Sequence, residues 1–241
     1  MLILAVDTST RAGSVAVLRD AEVLAEVSGL EETPYSTRLF RDVAALRSKA
    51  QFTLDQVDLF AVAAGPGSFT GLRVGLTAVK AWAEVHRKPI AAISGLEAIA
   101  AQFLRLTPTN FSKGLIAPFL DARRGYVFGA VYRKAIQETG HLELISEEAI
   151  LPVQEFLEMV RGSGSSNQQA VLVSPTPAAV PIEEARIILP SVRIEQVPAA
   201  LAPSVGKLGY ERAQRGALVD PVQLDANYVR RSDAEAATKE R

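Results

Sequence analysis

Short apolar runs and helical stripes alternate along the first hundred residues of the chain. Residues 2–6 form a continuous apolar run, as in a strand covered on both faces, and the run ends in Asp7. Two further runs around a polar turn predict a hairpin. Strands are predicted over 2–6, 13–18, 22–27, 59–64 and 89–93, and helices over 36–50, 71–86 and 95–104. This order of elements indicates a mixed sheet with helices on its faces.

The second half repeats this style of pattern after a polar stretch at 107–110 that is typical of a linker. Strands are predicted over 114–120, 126–132, 142–149 and 170–173, and helices over 152–160 and 203–216. Each half starts with a strand that ends in an aspartate, Asp7 or Asp121, followed by a polar turn and a hairpin. The prediction is an α/β protein of two lobes, 1–106 and 107–241, each a mixed β-sheet with helices on its faces. The helix over 203–216 is a candidate to pack back on the first lobe.

A glycine-rich stretch links a predicted strand to a predicted helix, and it reads Gly65-Pro66-Gly67-Ser68-Phe69-Thr70-Gly71-Leu72-Arg73-Val74-Gly75. Glycines let another group approach the backbone closely, and Ser68 and Thr70 can cap the helix. Such a turn at a helix N-terminus is a candidate anion cradle. A tight turn with a good cap explains the same residues. The spacing is not that of a P-loop, because no Gly-Lys-Ser/Thr follows.

Composition narrows the classes of function. The chain has 241 residues, a formal net charge of -1 and no cysteine. The balanced charge argues against a surface that grips nucleic acid alone, and the lack of cysteine excludes disulfides and thiolate sites. The run at 2–6 is too short for a signal peptide, and no apolar stretch is long enough to span a bilayer. We therefore expect a cytoplasmic protein without a membrane partner.

Three segments together resemble the bacterial TsaB (YeaZ) family, part of the actin-like ATPase and sugar-kinase superfamily with ribonuclease H-like lobes. They are Ile3-Leu4-Ala5-Val6-Asp7-Thr8-Ser9, the stretch from Gly65 to Gly75, and Asp121-Ala122-Arg123-Arg124-Gly125. Pro221-Val222-Gln223-Leu224 near Tyr228-Val229-Arg230 also looks like the ending of that family. The likeness is good over the first 130 residues and looser beyond them.

The resemblance implies a role in making threonylcarbamoyladenosine beside the anticodon of tRNA. In that family the homologous TsaD subunit carries the active site, and a TsaE-like ATPase takes part. The resemblance therefore implies a non-catalytic dimerisation and activating subunit that binds a TsaD homologue, meets tRNA only through the complex, and forms a homodimer when alone.

Catalytic relatives hold a metal on a His-x-x-x-His helix, and the resemblance places Gly95 and Ile99 at those two positions. Neither side chain ligates a metal, and His86 and His141 lack ligand spacing, so no metal site is predicted. His86 is most simply a surface residue at a helix C-terminus. Enzymatic activity is therefore not expected of this chain.

The resemblance also raises the possibility of nucleotide binding, because members of the superfamily hold phosphates with two aspartate turns. In the second turn, Ala122, Arg123 and Arg124 stand where glycines would let the backbone approach an anion. We expect no dedicated cofactor and at most weak binding of ATP or ADP. The alternative is that both aspartates only cap turns. The vestigial candidates are Asp7, Thr8, Ser9, Gly65, Gly67, Ser68, Asp121 and Arg123.

The helix predicted over 71–86 is apolar on two stripes, so it is expected to be covered on more than its sheet side. We predict that it pairs with the preceding helix to form a protein–protein surface rimmed by Arg38, Arg41, Arg73 and Lys80. The candidate contacts are Phe40, Ala44, Arg47, Arg73, Gly75, Ala78 and Trp82. A helix sandwiched within its own domain would show the same pattern. Arg73, near the N-terminus of the helix, either meets an acidic partner or an anion or is a solvated surface residue.

Two other functions compete with the subunit hypothesis. One is a stand-alone kinase or ATPase of the actin-like fold that uses the cleft between the lobes, which needs a general base and intact phosphate turns. The other is a glycoprotease, which needs the metal ligands that Gly95 and Ile99 replace.

Overall fold

The computed structural model describes residues 1–29, 33, 35–107, 114–135, 142–164 and 169–225. The first half contains β1 (Leu2–Asp7), β2 (Ser14–Arg19), β3 (Glu22–Ser28), α1 (Tyr35–Ala50), β4 (Leu59–Gly65), α2 (Phe69–His86), β5 (Ile90–Ser94) and α3 (Gly95–Leu106). Its sheet has the order β3-β2-β1-β4-β5, with β1 antiparallel to β2 and parallel to β4. Every strand and helix predicted for this half is present.

The second half contains β6 (Leu115–Arg123), β7 (Tyr126–Lys134), β8 (Leu142–Pro152), α4 (Val153–Gly162), β9 (Ala170–Ser174), α5 (Ile182–Ile188), β10 (Arg193–Gln196) and α6 (Ala202–Gln214). Its sheet has the order β10-β9-β6-β7-β8. This is the connectivity of the first sheet, with β6 in the place of β1, so the internal repeat is confirmed. The predicted α/β class with two mixed sheets is confirmed as well. Sequence patterns did not predict α5 or β10.

The chain divides into two compact units that cross the predicted boundary at 106 and 107. The first unit is Met1–Gly95 with the described residues from Ala200 onward, and the second contains Leu96–Ala199. Two helices are therefore grouped away from the sheet that precedes them in the sequence. From Leu96 onward α3 belongs to the second unit, and α6 belongs to the first. Sequence proximity placed α3 in the first lobe, whereas tertiary contacts decide the grouping.

In the first unit, helices cover both faces of the sheet. Leu4 and Val6 of β1 point into the core beneath α1 and α2. On the other face, α6 packs against β1, β2, β4 and β5. Gly206 and Gly209 let it approach closely, since a methyl group at Gly209 would lie 2.8 Å from the Ala61 Cβ. Burial on both faces explains why β1 is apolar without alternation.

The second unit has its own core between its sheet and the helices α4 and α5. Phe119 of β6 and Phe156 of α4 lie at its centre with ring centroids 5.9 Å apart. Gly129 of β7 lies directly beneath the Phe156 ring. Fully burying one such side chain contributes about 1.5–3 kcal/mol. No helix among the described residues is long and apolar enough to cross a membrane.

Candidate functional site

The turn after β1 is organised by the buried carboxylate of Asp7. The backbone N–H of Ser9 donates to Asp7 Oδ1 at 2.8 Å, and the Ser9 hydroxyl donates to the same oxygen at 2.6 Å. Asp7 has no exposed surface, and its Oδ2 has no hydrogen-bond partner among the described residues. Burial raises the pKa of Asp7, and the two bonds from Ser9 oppose that shift. The turn therefore holds a buried carboxyl group in the first unit that makes hydrogen bonds through only one of its two oxygens.

The glycine motif closes on this turn, and its backbone approaches the chain's own Thr8 and Ser9. A methyl group at Gly71 would overlap the Thr8 carbonyl oxygen, and one at Gly75 would overlap the Thr8 hydroxyl. The Thr8 hydroxyl donates to the Gly71 carbonyl at 2.7 Å, and the Ser68 N–H donates to the Ser9 carbonyl at 2.8 Å. The close approach that glycine permits is thus used for packing α2 on the Asp7 turn.

The start of α2 agrees with the simpler interpretation of the motif, a tight turn with a helix cap. Ser68 is the N-cap, and its hydroxyl accepts from the Gly71 N–H at 3.3 Å. Gly65, with φ +125°, joins Pro66 through a cis peptide bond. A methyl group at Gly67 would overlap the Ser9 carbonyl oxygen. Two of the glycines that were candidates for phosphate contact therefore shape the turn itself, and nucleotide binding stays a prediction.

The turn between β6 and β7 repeats the hydrogen bond of the first turn in a different setting. The Arg123 N–H donates to Asp121 Oδ1 at 2.7 Å, two residues along, as Ser9 does to Asp7. Asp121 is exposed, and its other oxygen lies 3.4 Å from the Arg123 guanidinium. Arg123 and Arg124 have φ of +71° and +56°, where glycine is the usual residue. Arginine side chains thus occupy the second turn, as the sequence indicates.

The vestigial nucleotide candidates fall into two groups, one in each unit. Asp7, Thr8, Ser9, Gly65, Gly67 and Ser68 come together in the first unit around the end of β1. Asp121 and Arg123 come together in the second unit at the end of β6.

An apolar surface covers the outer side of α1 and α2, which contact each other along the first sheet. The Phe40 side chain is 58% exposed, and it meets the half-buried Trp82 edge-on with ring centroids 5.9 Å apart. Trp82 also lies over Phe60 of the core, with centroids 6.2 Å apart. Val85, three residues after Trp82 in α2, is 76% exposed. We call Phe40, Ala44, Arg47, Ala81, Trp82 and Val85 the docking patch, and all except the half-buried Trp82 are exposed.

Three residues that were assigned to this surface are in fact buried. Gly75 packs against Thr8, and Ala78 is only 7% exposed, so neither residue contributes exposed surface to the patch. Arg38, expected at the rim, is 2% exposed and ion-paired with Asp42 at 2.9 Å. Small residues suit a buried helix face and an open one equally, which is why their pattern was ambiguous. The rim prediction for Arg38 was wrong because its side chain turns inward to acceptors that the sequence does not show.

Arg73 is exposed in the first turns of α2, as predicted. Its guanidinium lies 3.9 Å from the centre of the Phe69 ring, which is itself 36% exposed. A cation over an aromatic face is favoured by about 0.5–1 kcal/mol at exposed sites. This contact offsets the unfavourable position of a cation near a helix N-terminus.

The two positions that the resemblance aligns with metal-binding histidines, Gly95 and Ile99, lie at the start of α3. Gly95 opens that helix and Ile99 is fully buried in it. Within the described ranges, no group of three or more His, Cys, Asp or Glu side chains is placed to hold a metal ion. His86 is the last residue of α2, where the helix ends at Arg87 in a left-handed conformation. His141 lies outside the described residues.

Comparisons with known proteins match this chain to a TsaD family model and to relatives named TsaB. The family model described as TsaD, tRNA N6-adenosine threonylcarbamoyltransferase, matches residues 32–185. The protein from Bacillus subtilis named tRNA threonylcarbamoyladenosine biosynthesis protein TsaB is 34% identical over 161 residues, covering 67% of this chain and 66% of that relative. The protein of the same name from Haemophilus influenzae is 32% identical, covering 66% of this chain and 68% of that relative.

A solved structure extends the likeness to nearly the whole chain. YeaZ from Pseudomonas aeruginosa superimposes with a TM-score of 0.71 at 27% identity, covering 94% of this chain and 99% of that one. The sequence match, by contrast, spans slightly less than two thirds of the Bacillus subtilis relative. The chain belongs to the TsaB (YeaZ) family and has its actin-like fold.

Proposed function

We propose that this protein is a non-catalytic, activating subunit in tRNA threonylcarbamoyladenosine biosynthesis. The names of its relatives support the process, since two of them are called tRNA threonylcarbamoyladenosine biosynthesis protein TsaB. The observation that carries the subunit role is the contact between the exposed Phe40 of α1 and the half-buried Trp82 of α2. A cluster of exposed aromatic and small apolar side chains on two helices is the anatomy of a protein–protein contact.

The proposed partner is a TsaD homologue that buries the docking patch in a contact of two helices from each subunit. Because the two proteins would share a fold, a second copy of this chain presents a similar surface, and a homodimer forms when the partner is absent. A TsaE-like ATPase and the tRNA join through the complex. The exposed Arg47 at the edge of the patch favours a partner surface with acidic groups at its rim.

The chemistry of the first unit supports the non-catalytic part of the proposal. The glycine motif that would cradle an anion is filled by Thr8 and Ser9 of the same chain. The helix position where catalytic relatives place two histidines holds Gly95 and Ile99. Transfer of the threonylcarbamoyl group is therefore assigned to the partner, and this chain supplies the surface that activates it.

A reconstituted reaction tests this proposal. Purified TsaD homologue, TsaE-like ATPase, a threonylcarbamoyl-adenylate source and tRNA are combined with the parent protein or one of two variants, and modified nucleoside is measured by mass spectrometry. Trp82→Glu in the docking patch is expected to reduce product to the level without this protein. Ile187→Glu, a charge placed at an 81% exposed apolar residue of α5, serves as the matched control and keeps parental activity. Product formed without the TsaD homologue would refute the proposal.

One observation favours a second candidate, a stand-alone nucleotide-dependent enzyme. Asp7 is buried at the end of β1 with an unpartnered Oδ2, which is the kind of group that a bound ligand would satisfy. Calorimetric titration with ATP and magnesium separates the two candidates. The subunit proposal expects no binding in the low-micromolar range, and binding in that range would favour the enzyme.

A further inference from the structure

Arg38 is buried in the first unit and bonds four separate groups. Its Nε donates to Asp42 Oδ2 at 2.9 Å, and its Nη1 donates to the Gly29 carbonyl at 2.9 Å. Its Nη2 donates to the Ala12 carbonyl at 2.8 Å and to the Tyr35 hydroxyl at 2.6 Å. These acceptors come from two turns of α1, from the segment after β3 and from the loop between β1 and β2. A planar guanidinium serves them in fixed directions, which a flexible ammonium cannot do.

Tyr35 fits α1 against the same loop. Its hydroxyl lies directly over Gly13, where a methyl group would overlap it, and Gly13 has φ +40°. The Arg38 guanidinium also lies 4.4 Å from the centre of the Tyr35 ring. Burial raises the pKa of Tyr35, so the hydroxyl stays protonated and neutral. The first turn of α1 is thus held on residues 12–13 by a ring contact and two hydrogen bonds through Arg38.

The other docking helix is held by the same loop, four residues earlier. Thr8 bonds the Gly71 carbonyl and fills the space beside Gly75, and Ser9 accepts from the Ser68 N–H. The N-termini of α1 and α2 are therefore both fixed to residues 8–13. The docking patch lies further along these two helices, where Phe40 and Trp82 meet.

We propose that the loop at residues 8–13 is a shared anchor that sets the geometry of α1 relative to α2, and that Arg38 is the positioning residue that transmits it to the docking patch. Arg38 touches no part of the partner's surface, because it is 2% exposed. The hydrogen bonds of Arg38 set the position of α1, and with it the position of the Phe40 ring relative to Trp82. This inference rests on the proposed function for its consequence, which is the affinity for the TsaD homologue, but the geometry itself is measurable on the isolated protein.

The chain contains a single tryptophan, Trp82, so its fluorescence reports the Phe40–Trp82 contact without labelling. Arg38→Lys keeps the charge beside Asp42 but cannot serve all four acceptors. It is expected to shift Trp82 emission to longer wavelength, to increase quenching by acrylamide, and to weaken binding of the TsaD homologue by about tenfold or more, as for a displaced hot spot. Arg186→Lys makes the same change at a 57% exposed side chain of α5, outside the docking patch and its rim, and is expected to match the parent.

The outcomes separate positioning from simple stabilisation. A merely structural role would lower the thermal midpoint of Arg38→Lys and leave the emission and quenching of its folded state at parental values, and that result would overturn the inference. So would altered Trp82 signals with parental affinity. Tyr35→Phe, which keeps the ring and removes one acceptor, provides a milder variant with a smaller change in the same direction if Arg38→Lys does not fold. Failure of the parent to bind the TsaD homologue would refute the proposed function, while unchanged Trp82 signals in both variants would refute the anchor.

Discussion

Gly71→Ala tests whether the glycine motif clamps the Asp7 turn. A methyl group at this position would overlap the carbonyl oxygen of Thr8, a backbone atom that moves only if the end of β1 moves with it. Because Gly71 lies in α2, alanine would otherwise be favoured by about 1 kcal/mol of helix propensity. The expected loss of stability must therefore exceed that gain.

The magnitude follows from the contacts that the methyl group disturbs. Overpacking of a close contact costs about 1–3 kcal/mol. Displacing α2 also weakens the bond from the Thr8 hydroxyl to the Gly71 carbonyl and the bond from Ser68 to Ser9, each worth about 1 kcal/mol. After the gain in propensity, we expect Gly71→Ala to lower the free energy of unfolding by about 2–4 kcal/mol, which in a protein of this size lowers the midpoint by about 4–16 °C.

The assay is thermal and urea unfolding followed by far-ultraviolet circular dichroism. Gly162→Ala is the matched control, since it makes the same substitution at the end of α4, where a methyl group would meet nothing within 4 Å. We expect the control to be neutral or slightly stabilising. If Gly71→Ala is as stable as this control, the motif does not clamp the turn, and the anion-cradle interpretation of its glycines becomes the better one.

Two further predictions concern the buried acid and the docking patch. Burial raises the pKa of Asp7 above its usual value of about 3.9, so the folded state binds this proton more tightly than the unfolded state does. The resulting stabilisation is complete when the pH is below the usual value of about 3.9, and it is lost as the pH rises through the raised pKa of the folded state. The unfolding free energy of the parent relative to Asp7→Asn should therefore increase as the pH is lowered from neutrality, and urea titrations that show no such trend would contradict it. Phe40→Glu should convert the proposed homodimer of the isolated protein to monomer in sedimentation velocity, and a persistent dimer would exclude the patch as its interface.

The architecture was accessible from the sequence because its signals are local and strong. The unbroken apolar run of β1, the hairpin after it and the helical stripes of α1 and α2 each have a single simple interpretation. The short elements α5 and β10 have 7 and 4 residues, which leaves too little periodicity to recognise. Grouping of α3 with the second unit depends on tertiary contacts that no local pattern encodes.

The sequence identified residues that the fold brings together around the end of β1, but it did not predict the contacts that they make. The glycine motif was identified, but its sequence does not say whether the close approach serves an anion or the Thr8 and Ser9 backbone. Arg38 illustrates the same limit. A charged residue on an amphipathic helix is usually solvated, and only the folded chain brings the carbonyls of Ala12 and Gly29 to its guanidinium.

Hydrogen exchange of this protein with and without the TsaD homologue maps the surface that the partner covers, and it shows whether that surface is the docking patch. We expect slower exchange in α1 and α2 around Phe40 and Trp82 on complex formation, with α4 and α5 unchanged. A stable complex in which α1 and α2 exchange as in the free protein, with protection elsewhere, would contradict this expectation.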